Sequence, residues 1–129
     1  MLDSMNKHKD WMYVVFRVLV GLVFFKHGAQ KMFGWFGGGK VANLATLFGA
    51  AGIVEVVVGL LLIFGLWSRL MAAIGAVEML VALITMHFPQ GWNPLQNGGE
   101  AAVLYFAAFL VILSHGSGRW SLEGALKRK

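Results

Sequence analysis

Long apolar stretches, parted only by short runs rich in glycine, proline and basic residues, restrict this chain more than any other feature of its sequence. Each stretch is close to the roughly 20 residues that an α-helix needs to cross a hydrocarbon layer about 30 Å thick. A soluble domain of 129 residues could not hide them, because 58% of the chain is hydrophobic and only 13% is charged. The mean hydropathy of +0.70 points the same way. The expected fold class is therefore all-α, a polytopic membrane protein forming a single domain over residues 1–129 as an antiparallel four-transmembrane-helix bundle.

The spans fall at about residues 11–33, 44–66, 70–88 and 100–115. Lys7 and Lys9 precede an apolar stretch from Val18 to Phe25, as in a secretory signal, but no small-x-small cleavage site follows, so an uncleaved helix is expected. The glycine-rich run at 34–43 reads as a turn, with Trp35 and Phe36 suited to a membrane interface. Trp67-Ser68-Arg69 is too short to do anything but join two antiparallel helices. Pro89 and Pro94 bracket a second loop. The last span is short for a full crossing.

Lys7, Lys9, Arg69, Arg119, Lys127, Arg128 and Lys129 fall on one side of this arrangement, against Lys31 and Lys40 on the other, which places both termini in the cytoplasm. The same distribution explains the net charge of +5 without nucleic acid, since no basic face is interleaved with aromatic residues. The absence of cysteine excludes a dithiol relay, a thiolate metal site and an iron–sulfur cluster. No P-loop and no nucleophile beside a base is visible. No metal is expected either, because His27, His87, Glu55 and Glu100 lack tight ligand spacing.

Ionisable residues inside the spans cost about 2.5 to 3.5 kcal/mol each when unpaired, so they must face the bundle and find partners. At about 100° per residue, Arg17, Gly21, Phe24, Gly28 and Lys31 share one stripe of the first helix, with His27 at its edge. On the second helix Ala45, Gly49, Gly52 and Gly59 lie on the side of Glu55, the small residues that close packing in membranes favours. Gly75, Glu78, Ala82 and Thr85 align on the third, with His87 nearly opposite. Arg17 and Glu78 are read as structural intramembrane charges, Arg17 neutralising Glu55 or Glu78. His27, Gln30, Lys31, Glu55, His87 and Glu100 are the candidates for binding a ligand or handling a proton, several of them in the outer half with Asn93 and Asn97.

The segments Arg17-x-x-x-Gly21 and Phe25-Lys26-His27-Gly28-Ala29-Gln30-Lys31-Met32-Phe33-Gly34 resemble the first-helix signature of the DoxX family. Gly52-x-x-Glu55-x-x-x-Gly59 with the Ser68-Arg69 junction, and His87 closing the third helix, are similar to the family's continuation. Gly116-Ser117-Gly118-Arg119-Trp120-Ser121-Leu122-Glu123 resembles its segment after the last helix, with Ser117, Trp120 and Glu123 in place of Pro, Tyr and Asp. The resemblance implies a component of a redox or detoxification system in the bacterial inner membrane, in contact with quinone.

Two readings of function follow. In one, the chain is a quinone-contacting oxidoreductase subunit, with His27 and Lys31 bonding a quinone carbonyl and Glu55 buffering its proton. Lacking an electron source of its own, it then needs a redox partner protein. In the other it is a non-enzymatic scaffold or assembly protein in the lipid bilayer. A small-solute transporter ranks below both, because one four-helix chain without an internal repeat is small for alternating access unless it forms a homo-oligomer.

Overall fold

The computed structural model describes residues 8–35, 47–87, 89, 91, 99–118 and 120–127. Four helices run alternately up and down: α1 (Lys9–Phe33), α2 (Leu47–Phe64), α3 (Ser68–Ala82) and α4 (Glu100–His115). Helix α3 continues as a π-helical turn, Leu83–His87, and a short α5 (Leu122–Lys127) follows α4. No strand occurs among the described residues. Lys40, Asn93 and Asn97, with the parts of the two expected loops at 36–43 and 92–98, lie outside them.

Helices α1 and α3, the latter with its π turn through Thr85, are long and apolar enough to cross a membrane, whereas α2 and α4 are shorter apolar helices. The exterior is apolar all round: Leu19, Leu60, Phe64, Val77, Ile84 and Leu104 all point outward. Such a surface suits lipid rather than water.

Each helix end has a local cause. Gly34 closes α1 in the left-handed region at φ 71°, its N–H returning to the Gln30 carbonyl. Gly65, at φ 69°, turns the chain out of α2, and Trp67 takes a left-handed φ of 52° to start α3. The Glu123 carboxylate accepts the Trp67 N–H at 2.9 Å, which caps α3 from the far end of the sequence.

The α1–α2 contact sets the register. A Cβ on Gly21 would lie 2.8 Å from the Gly59 carbonyl oxygen, and one on Gly28 would lie 2.8 Å from that of Gly52. Two glycines seven residues apart on each helix thus meet in antiparallel pairs with the backbones almost touching. Helix α3 packs on α4 through Gly75, which admits the ring of Phe109. The buried core between these pairs holds Phe24, Val58, Leu62, Met79, Phe109 and Ile112.

Arg17 is 2% exposed and pairs with neither glutamate, contrary to the sequence expectation. It donates to the carbonyls of Leu62 (2.9 Å), Ser117 and Trp120 (3.1 Å), gathering the end of α2 and the segment after α4. The reason is position: Leu62 lies two turns beyond Glu55, about 10 Å along the axis, out of a side chain's easy reach. Helix C-terminal carbonyls carry partial negative charge and suit a cation as well as a carboxylate does. Three hydrogen bonds from a charged group, at about 1.5–3 kcal/mol each, outweigh the cost of insertion. Arg69 makes a similar clamp on the Leu113 and Ser114 carbonyls, Ser117 donates to Ser68 at 2.7 Å, and Tyr13 donates to the Gly116 carbonyl.

Gly59→Leu is expected to cost about 1–3 kcal/mol or more, because its Cβ alone would meet Phe25 N at 2.6 Å and backbone cannot step aside; thermal unfolding in detergent measures it. Arg17→Met should free the segment from Ser117 to Lys127, read as new protease cleavage there. Arg17→Lys should restore little, since one ammonium cannot span three carbonyls.

Candidate functional site

At the other end of the bundle, where α1 ends and α2 begins, the glycine pairing of Gly28 with Gly52 carries Lys31 onto α2. A Cβ on Gly52 would touch the Lys31 stem at 3.0 Å. One turn along α2 is Glu55, 2% exposed, and its Oε2 meets Lys31 Nζ at 2.6 Å. The sequence placed both residues inside the bundle; the structure makes them partners. Their ion pair takes the role assigned to Arg17.

Beside the pair lies a cavity of about 440 Å³ bounded by all four long helices. Phe24, His27 and Lys31 come from α1; Ala50, Ala51, Val54 and Glu55 from α2; Glu78, Met79, Ala82 and Thr85 from α3 and its π turn; Ala101, Ala102 and Tyr105 from α4. Alanines on three helices leave the room, and the walls are mainly apolar. The π turn, where Thr85 donates to the Val81 carbonyl at 2.7 Å, shifts the end of α3 out of regular α register beside the cavity.

Glu78, read from sequence as a structural charge, lines this cavity instead and lies within electrostatic reach of Glu55. Both its oxygens are buried, and so are Oε1 of Glu55 and the hydroxyl of Tyr105; none of these four atoms makes a hydrogen bond of ordinary geometry in the protein, although the two carboxyl groups are close enough to share a proton. Unmatched buried polar atoms are few in native proteins, and each calls for a physical explanation. Tyr105 also meets His27 edge to face, with centroids 5.7 Å apart, and Phe24 at 5.3 Å.

Of the sequence candidates, His27, Lys31 and Glu55 line the cavity and Gln30 and Glu100 do not. Gln30 is half-buried on α1, and Glu100 is exposed in the first turn of α4. His87 closes the π turn, and its side chain is outside the described residues. Among the described residues no three His, Asp or Glu side chains gather as metal ligands. The sequence reading missed Tyr105, although a tyrosine inside a span, one turn before Phe109 on the same stripe, needs a partner for its hydroxyl.

The DoxX family profile matches residues 12–88, which carry the Arg17 clamp, both glycine pairs, Lys31, Glu55 and Glu78. The chain belongs to the DoxX family. This DoxX protein is 31% identical to a Haemophilus influenzae protein described only as uncharacterized, over 99% of this chain and 100% of the other. It is 30% identical to an uncharacterized membrane protein of Mycobacterium tuberculosis, over 90% and 82% of the two chains. With CatD of Bacillus subtilis, provisionally named an oxidoreductase, it shares 29% identity over 64% of each chain. No solved structure gives a significant match. Family and surface together make this a membrane protein.

Removing one partner of a buried ion pair leaves the other charge stranded, at a cost on the order of 3 kcal/mol. Lys31→Met alone is therefore expected to lower stability by that order, and adding Glu55→Gln should recover most of the loss. Denaturant or thermal unfolding of the two single variants and the double variant measures the coupling.

Proposed function

We propose that this DoxX protein is the membrane-embedded, quinone-contacting component of an oxidoreductase system, fed with electrons by a partner protein. The cavity carries this reading: an apolar slot within the bundle, about 440 Å³, with a few converging polar groups. Small-molecule sites commonly occupy about 300–1,000 Å³ and have this composition. Tyr105 and His27 can present N–H or O–H groups to a ring oxygen, the Lys31–Glu55 pair holds charge beside them, and Phe24 supplies an aromatic wall. A quinone supplies two-electron, two-proton redox chemistry that no side chain of this cysteine-free chain performs. Glu78 and Glu55 are placed to hold and exchange protons at the ring. The provisional oxidoreductase name of the Bacillus subtilis relative supports the same direction.

The proposal includes four crossings of a bacterial inner membrane with both termini in the cytoplasm. Lys9, Arg17, Arg69 and Lys127 lie toward one end of the described bundle and Lys26 and Lys31 toward the other, a bias that supports this orientation. Helices α2 and α4, about 27 and 24 Å long at 1.5 Å per residue, come close to the hydrocarbon thickness. Their outer faces carry Ile53, Val57, Leu60, Leu104, Leu110 and Val111.

Gentle purification followed by lipid extraction and mass spectrometry tests the reading. Stoichiometric quinone is expected with the wild type, and loss of it with His27→Ala and Glu55→Gln variants that elute as the wild type does. A well-folded wild type without quinone would transfer the weight to a scaffold role.

A further inference from the structure

The unmatched atoms of the cavity say which hydrogen-bonding character its ligand must have. Three of the four are carboxyl oxygens, Oε1 of Glu55 and both oxygens of Glu78, and the fourth is the Tyr105 hydroxyl. A carboxylate only accepts, and even an acid that carries a proton keeps more accepting sites than the single hydrogen it gives. One proton spread over Glu55 and Glu78 therefore still leaves acceptors in excess. Lys31, the nearest strong donor, gives one of its three N–H hydrogens to Glu55 Oε2 at 2.6 Å, and even all three are fewer than the acceptor sites of two carboxyl groups. Uncharged His27 brings one donor and one acceptor, and the Tyr105 hydroxyl can act either way, so neither changes the balance.

A benzoquinone ring presents two carbonyl oxygens and no hydrogen to give. Set among these carboxyl oxygens it would place acceptor against acceptor and leave buried polar atoms unmatched, which costs affinity. The corresponding hydroquinone has the same ring and size and carries two O–H donors. Accepting on the quinone-site reading that the ligand is a ring of this class, we infer that the cavity selects the reduced form, with Glu78 and Glu55 Oε1 accepting its phenolic hydrogens. The carboxyl pair is then the specificity determinant of the site. A site that holds the reduced ring more tightly favours electron uptake by the bound ring in the same ratio, because binding and reduction are linked equilibria.

Calorimetric titration of the quinone-free, full-length protein in phosphatidylcholine nanodiscs tests this with three probes. They are a decyl-substituted hydroquinone kept reduced under argon, the matching benzoquinone, and the dimethyl ether of the hydroquinone, which keeps the ring and loses both donors. The hydroquinone is expected to bind about tenfold or more tightly than the other two, a margin set by one charge-assisted hydrogen bond. Glu78→Gln, which changes little in volume and adds an N–H donor, should erase that margin or turn it toward the benzoquinone. Tyr105→Phe removes a group of either polarity and should weaken hydroquinone and benzoquinone alike, leaving their ratio. Benzoquinone binding as tightly as the hydroquinone overturns the inference and leaves the quinone site standing. So does a preference that survives Glu78→Gln but disappears in Tyr105→Phe. Saturable binding of none of the three overturns both the inference and the site.

Discussion

The backbone contact between α1 and α2 is the constraint on which the rest of this structure depends. Gly21 against Gly59 and Gly28 against Gly52 leave no freedom of register, because sliding either helix would drive a side chain into a carbonyl. In lipid, where apolar side chains gain little by leaving one apolar medium for another, such close packing is a main source of helix association. The same register brings Lys31 to Glu55 at one end and Arg17 to the Leu62 carbonyl at the other. Two glycine pairs thus decide the partners of two cations, buried Arg17 and half-buried Lys31.

Those cations serve opposite ends of the molecule. Arg17, with Arg69, Tyr13 and the Ser68–Ser117 bond, ties helix ends and the segment after α4 into one knot in which nearly every acceptor is a backbone carbonyl. A guanidinium suits this work, since its planar fork can serve several carbonyls together. Gly65 is part of the same knot: its left-handed turn needs a glycine, and a Cβ there would lie 2.9 Å from the Arg17 guanidinium carbon. At the other end the polar atoms are carboxyls, a tyrosine and an imidazole around a space, and several are left without protein partners. The first end has its hydrogen bonds largely matched internally; the second leaves polar atoms unmatched around its cavity.

Much of this was legible in the residues. The apolar runs and their breaks locate four helices, and α4 begins and ends where expected; α1 starts two residues earlier, and α3 begins at Ser68 rather than Leu70. The glycine stripes beside Glu55 and Arg17 were visible because helical periodicity needs no tertiary information. The π turn and α5 were not visible, since the first is a local change of hydrogen bonding inside an apolar run and the second is too short to show a period.

The sequence by itself determined the medium, the helical class and the inward direction of the buried charges, because all three follow from hydrophobicity and the 3.6-residue period. It also carried the family, through residues that the structure shows at the α1–α2 contact and in both polar clusters. Only the tertiary structure decided which charge meets which. Arg17 goes to carbonyls, Lys31 to Glu55, and Glu78 lines the cavity beside Tyr105. Periodicity places a residue around its own helix axis. The level at which two axes face one another is set by interlocking backbones, and one helical turn of register, about 5.4 Å, is enough to exchange one partner for another.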